Sequence, residues 1–418
     1  MKKLYILLFA LLWGSNLSAQ DASIEEQPAQ KTENRGLSYT SKNNRFSFSA
    51  GGHIDMRVAY DFGGMVDHLD FAPAAIPVPA DFSSRQKLRM DATTSYFFVK
   101  GQMNSEKLGP VQMLVDLDFR GGKENSYTPR IRCAYLSFKG LTLGRNVSTL
   151  CDLDAAPMTI DFEQPNSYTF HFVTMISYRL PLVKDHLTLN LAAEMPALDT
   201  NCDRYPSIEN VEQRVPDFPV FLQYDWGKRY HNHVRFSAVF RDLYYHNVHT
   251  GQNSSLFGWG VLMSGHVQPC RAFELFWNGE YGQAISSTIL DLGGQQLDFT
   301  PDEQNPARMK ARKMWGWQAG AHINLRKNLY LAGGYSQVGV DRNGESSEYR
   351  IDSESGAVQT SGGFPAFYHK GEYMFGNIFY QFTKHCQLAA EYLHGRRENM
   401  NGEWNSANRI QFRIRYKF

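Results

Sequence analysis

Arginine recurs at alternate positions in this chain, at Arg130 and Arg132 and again at Arg413 and Arg415, with Arg409 just before the second pair. Arg85 and Arg89 flank Lys87 in the same rhythm. In extended backbone, positions i and i+2 share a face, so each group would present its guanidinium forks side by side. Such forks bind carboxylate or phosphate oxygens through paired hydrogen bonds, and a row of them concentrates anions without trapping them. Arg57, Arg120, Arg235 and Arg241 join the row if their strands face the same way. Acids of the same phase are fewer: Asp55, Asp91, Asp116, Asp118, Glu194, Asp225, Glu274, Glu280 and Glu391. They leave a second reading open, in which the arginines pair across a wall and stiffen it.

A loop-like stretch from Val147 to Asn166 carries Ser148, Thr149, Asp152, Asp154, Asp161 and Glu163. Its acids could oppose the arginines across a narrow passage and set up a transverse field. They could equally cap turns or hold Ca²⁺. Other chemistry has less support. Neither Gly-x-Ser-x-Gly nor His-Glu-x-x-His occurs, and His171 or His186 with the many serines shows no telling spacing, so no catalytic residue is expected. His231 with His233, and His246 with His249, read as turn and loop histidines, because a metal site would need two further ligands. No cofactor, metal or nucleic-acid partner is expected, since no glycine-rich phosphate loop or basic helix is present and the net charge is +1.

The elements that would hold these residues are strands. From Ala407 to Phe418, Arg409, Gln411, Arg413, Arg415 and Lys417 alternate with Ile410, Phe412, Ile414, Tyr416 and Phe418, which suits a strand lying between water and lipid. The same phase recurs in Arg45 to Tyr60, Arg85 to Met103, Val111 to Arg120, Arg130 to Phe138, Leu141 to Asn146, Tyr168 to Leu180 and Tyr373 to Phe382, among about sixteen such stretches. Short turns alternate with long loops, the latter including Asp61 to Ser84, Val147 to Asn166, Tyr244 to Ser254, Ala284 to Lys313, Asp341 to Lys370 and Arg397 to Asn405. Short periplasmic turns and long external loops are the outer-membrane pattern. A barrel of this width leaves an aqueous channel, so passage of small solutes is the default expectation.

The ends agree. Lys2 and Lys3, the apolar run Leu4 to Trp13 and the small residues up to Ala19 predict a secretory signal over residues 1–19. Residues 20–44 are polar and predict a disordered periplasmic tail, with a barrel over 45–418. No stretch after the signal reaches the roughly 18 apolar residues of a spanning helix. Aromatic residues make up 14% of the chain, which suits the interfacial girdles of a barrel. Of the five cysteines, Cys151 and Cys202 could pair in an exported protein or stay as free thiols.

Three segments carry a specific resemblance. Phe48 to Phe62, the pair Val115-Asp-Leu-Asp-Phe119 and Arg130-Ile-Arg-Cys-Ala-Tyr135, and the loop residues Gly144, Ser148, Thr149, Asp152, Pro157, Asp161 and Phe162 resemble the DcaP-type trimeric porins. The chain departs from that pattern at Arg145 and Val147, and residues 20–44 lack the heptads of an N-terminal coiled coil. The resemblance implies an all-β, transmembrane antiparallel barrel of sixteen strands with a pore-constricting loop, assembled as a homotrimer in outer-membrane lipid. It further implies passive diffusion of small anionic solutes, dicarboxylates among them, past arginines. Two rival readings remain at this level: a phosphate-selective porin, and a non-conducting barrel whose loops serve adhesion.

Overall fold

A polypeptide crossing hydrocarbon must pair every backbone amide and carbonyl within itself, and a sheet does so only by closing. The computed structural model describes residues 37–418 except 44, 124–125, 200–207, 249, 303–307, 343–346, 352–357 and 363–365. The expected signal, most of the expected tail and Cys202 lie outside the described residues.

Sixteen antiparallel strands form the wall. They are β1 (Phe46–Phe62), β2 (Gln86–Asp91 continued by Tyr96–Ser105), β3 (Gly109–Asp118), β4 (Arg130–Phe138), β5 (Leu141–Val147) and β6 (Phe172–Val183). Next come β7 (Leu187–Glu194), β8 (Phe218–Trp226), β9 (Asn232–Asn247), β10 (Gln252–Cys270) and β11 (Phe273–Gln283). The last are β12 (Lys313–Arg326), β13 (Leu329–Val340), β14 (Tyr368–Gln381), β15 (Cys386–Asn399) and β16 (Trp404–Lys417). Each pairs with the next, and β16 returns to β1 with Ile414 opposite Met56 and Arg409 opposite Asp61.

Burial along β16 inverts that of a water-soluble strand: Phe412 is 56% exposed, whereas its neighbour Gln411 is fully buried. Apolar side chains outside and polar ones inside are the arrangement for a wall standing in hydrocarbon.

The structure moves several expected boundaries. Within the expected tail, Leu37–Thr40 form a short strand on Ser47 to Ala50. β9 and β10 run to a connection of residues 248–251, and β15 and β16 to one of residues 400–403, so the long loops expected at Tyr244 to Ser254 and Arg397 to Asn405 are tight turns. Backbone pairing continues past the apolar belt because it does not require apolar side chains. β14 starts at Tyr368, earlier than the expected Tyr373, and β6 at Phe172, later than Tyr168. Tyr168 instead sits fully buried with its hydroxyl donating to the Asp152 carbonyl at 2.8 Å.

Three connections turn into the barrel: residues 63–85, 148–171 and the described part of 284–312. Phe71 and Ile76 pack with Tyr373, Phe375 and Leu393, while Ile285, Ile289 and Leu292 pack with Leu150, Val239, Leu262 and Met314. The bore is therefore narrowed by apolar contacts between loop and wall, and the expected constriction by the loop after β5 is joined by two further inward connections.

The outward belt makes a prediction about stability. Phe412→Lys should cost about 2–4 kcal/mol of folding free energy in phospholipid vesicles, and Trp404→Lys at the strand end only about 0–1 kcal/mol. Guanidinium unfolding titrations in vesicles measure both, and equal costs would contradict the placement of the belt.

Candidate functional site: the constricted bore

The loop of residues 148–171 stays inside the barrel because the wall supplies acceptors for its backbone. Glu194 at the end of β7 accepts from Ser148 Oγ at 2.8 Å and the Thr149 amide at 2.7 Å. Across the bore, Glu391 of β15 accepts from the amides of Ile160 and Asp161, both at 2.9 Å. Asp152 reaches the wall at β9 and β10, with His233 Nε2 at 2.8 Å and Ser264 Oγ at 2.5 Å. Asp161 accepts from the Phe71 amide at 3.0 Å and the Tyr373 hydroxyl at 3.1 Å, which ties the loop to residues 63–85 as well. From the third inward connection, Asp291 accepts from the Ala74 amide at 2.8 Å and from the Tyr368 hydroxyl, while its own amide donates to the Asn166 carbonyl.

Most of the arginines singled out by spacing pair with aspartates. Arg415 holds Asp55 through two bonds of 2.7 Å, and Arg409 holds Asp61 at 2.6 and 3.1 Å. Arg57 bridges Asp70 and Asp91, each at 3.1 Å, Arg120 also engages Asp70, and Arg130 grips Asp118 at 3.0 and 2.6 Å. Arg89 donates to the Val66 carbonyl at 2.9 Å, and Arg85 is exposed just before β2. The stiffening reading thus holds for five of these residues. A buried guanidinium without a carboxylate would carry a heavy desolvation cost, so pairing is the expected outcome wherever loops cover the wall.

Arg132 is held differently. Between Asp116–Cys133 and Leu117–Ile131 the register of β3 and β4 shifts by one residue, and Arg132 is the extra one. A bulge redirects a side chain, and this one turns Arg132 toward Tyr96 (4.9 Å), Phe172 (5.3 Å) and Phe162 (5.9 Å). No ion pair forms at Arg132 among the described residues. Arg130 lies beside it, near the same two phenylalanines, with its side chain 30% exposed. Gly144 on the neighbouring strand fits closely under β4: its φ is +129°, and a Cβ there would stand 2.3 Å from the Ala134 carbonyl oxygen. Arg413 also forms no ion pair among the described residues; it donates to Gln387 at 2.8 Å and lies over Phe379.

The inward loops hold carboxylates of opposite tendencies. Burial raises the Asp70 carboxyl, but Arg120 and Arg57 outweigh it and hold the group well below the usual range. Asp152 behaves likewise through Arg235 and His233. Glu163, near Asp70 and His68, is pushed far up by burial and by the charges of Asp70 and Asp161. Asp161 is raised by burial and Asp70, and Asp154 by burial and Asp152. Burial raises Asp291 from 3.8 to about 6 against the opposing hydrogen bond of Tyr368.

The predicted loop residues Ser148, Thr149, Asp152 and Asp161 thus anchor the loop, rather than lining an open passage as a row of acids. Glu194 and Glu391 were legible as inward acids by strand phase. Asp70, Asp291, Tyr368 and Tyr373 were missed, and no local pattern marks them. Cys151 is a buried free thiol donating to the Tyr168 hydroxyl at 3.4 Å, and Cys202, with which it could pair, lies outside the described residues.

The same fold occurs in known structures. The outer membrane channel DcaP of Acinetobacter baumannii superposes with a TM-score of 0.74 at 18% identity, over 91% of this chain and 99% of that one. This is its fold. OmpT of Vibrio cholerae and OmpF of Salmonella typhi each match with a TM-score of 0.51 at 10% identity, over 91% of this chain and all of theirs. No protein-family model and no curated protein sequence matches the chain.

A pH dependence follows from Asp291. Its folded value of about 6 lies above its ordinary 3.8, so the neutral form below pH 6 favours the inward loops, and ionisation as the pH rises through 6 loosens them. Single-channel recordings should show smaller, quieter currents near pH 5 than near pH 7.5, with the dependence reduced in Asp291→Asn. An unchanged profile in that variant would count against the assignment.

Proposed function

We propose that the chain is an outer-membrane porin through which small anionic solutes, dicarboxylates among them, diffuse down their gradients. Arg132 carries this reading. Aromatic faces give the guanidinium a favourable setting without neutralising it, so its charge and hydrogen-bond fork remain available to a passing carboxylate. Arg130 and Arg120 sit next to it, and the contact of all three with Phe162 of the inward loop supports a narrowing at the same level. Exposed Arg85 supplies positive charge at the long-loop end, where solutes would enter, whereas Lys87 is paired with Asp67 at 3.2 Å.

Residues 1–19 would direct export, and the likeness to DcaP-type porins favours a homotrimer in outer-membrane lipid. The adhesion reading drew on the length of Ala284 to Lys313 and of Asp341 to Lys370; the described part of the first turns inward, which favours conduction, while much of the second lies outside the described residues. Guanidinium chemistry by itself does not separate dicarboxylate from phosphate, so competition between succinate and phosphate for current blockade decides the solute class.

The protein reconstituted in planar bilayers should show a reversal potential in a KCl gradient of the sign for anions. Arg132→Gln should lower the chloride-to-potassium permeability ratio by roughly threefold or more, and Arg85→Gln by less, because a charge at the constriction acts at closer range. A preference for cations in the unmodified protein, or no conductance, overturns the proposal.

A further inference from the structure

At the short-turn end of the barrel, the inward loop meets the two histidines that flank the start of β9. We propose that Asp154, His231 and His233 form a binding site for one divalent transition-metal ion of the zinc class, which pins the constriction loop to the wall. The fold supplies what the local sequence lacked, since the loop delivers a carboxylate to a His-x-His pair.

One donor atom from each of the three residues lies within 4.8 Å of the others. His233 is fully buried and its Nε2 faces Asp152 Oδ2 at 2.8 Å, while its Nδ1 has no partner. An imidazole that donates one ring N–H to a carboxylate carries a lone pair on the other nitrogen, and this carboxylate–histidine relation is how proteins orient ligands to zinc. His231 has the same support, with Nε2 3.0 Å from Asp225 Oδ1. The surrounding charge suits a dication: Asp152, Asp154 and Asp225 outnumber Arg235, which lies 3.5 Å from Asp152.

The donor set selects the ion. Two imidazoles and one carboxylate, with water completing a tetrahedron, suit Zn²⁺, whereas Ca²⁺ takes six to eight oxygens and Mg²⁺ an octahedron of them. Donors at about 2.0–2.1 Å from a tetrahedral ion stand about 3.4 Å apart, so the three groups must draw together on binding. His231, with its side chain 53% exposed, has room to make that approach. The other histidine–acid cluster, His68 with Asp70 and Glu163, is unsuited because Arg57 and Arg120 already occupy Asp70.

The site rests on the geometry of the barrel and stands whether or not the channel selects anions. Full-length, untagged protein folded in detergent and stripped with EDTA should bind one Zn²⁺ per chain in equilibrium dialysis against zinc chloride. His231→Ala and Asp154→Asn should each weaken that binding roughly tenfold or more. Heat-dependent gel mobility checks that both variants are folded. Co²⁺ added to the unmodified protein should give the visible absorption of a tetrahedral site, which His231→Ala abolishes. Failure of the unmodified protein to retain zinc, equal binding by the folded variants, or absence of the cobalt bands overturns the proposal.

Discussion

Closure of the sheet between β1 and β16 is the constraint from which the rest of the structure follows. Hydrocarbon offers no hydrogen bonds, so the edge strands must find each other, and here two doubly bonded ion pairs, Arg415 with Asp55 and Arg409 with Asp61, straddle the joint from inside. A closed wall creates an enclosed interior, and chain that enters it must satisfy its own polar groups there. Glu194, Glu391 and Asp152 do that for the constriction loop, and the apolar clusters around Phe71 and Ile289 bury what remains.

The wall was legible in the sequence because alternation with period two is a direct record of which face meets lipid. Strand phase assigned Arg57, Arg409, Gln411 and Arg415 to the inside correctly. It could not name their partners, since Asp70, which engages Arg57 and Arg120, comes from a loop whose path depends on tertiary contacts. Nor could it foresee the bulge, because one inserted residue in β4 leaves no compositional mark. Strand ends at β9, β10, β15 and β16 were underestimated because polar residues above the apolar belt still pair through their backbones.

Loss of most arginine charge to aspartate alters how selectivity must be understood. A bore lined by uncompensated guanidinium would bind anions throughout its length, whereas paired arginines act as scaffold and leave the choice of solute to a few positions. In the proposed reading that choice would rest on Arg132, which lies among Tyr96, Phe162 and Phe172 beside the inward loop. On that proposal, recognition and narrowing would coincide beside Phe162.

The short strand Leu37–Thr40 occupies Ser47 to Ala50 on the same edge of β1 that β16 occupies from His53 onward, with Phe418 exchanging backbone bonds with Gly52. A two-residue slide of the last strand would keep every side chain on its proper face, and the ladder alone would tolerate it. The amino-terminal segment stands in the way like a doorstop, so the carboxyl terminus cannot slip further toward Ser47.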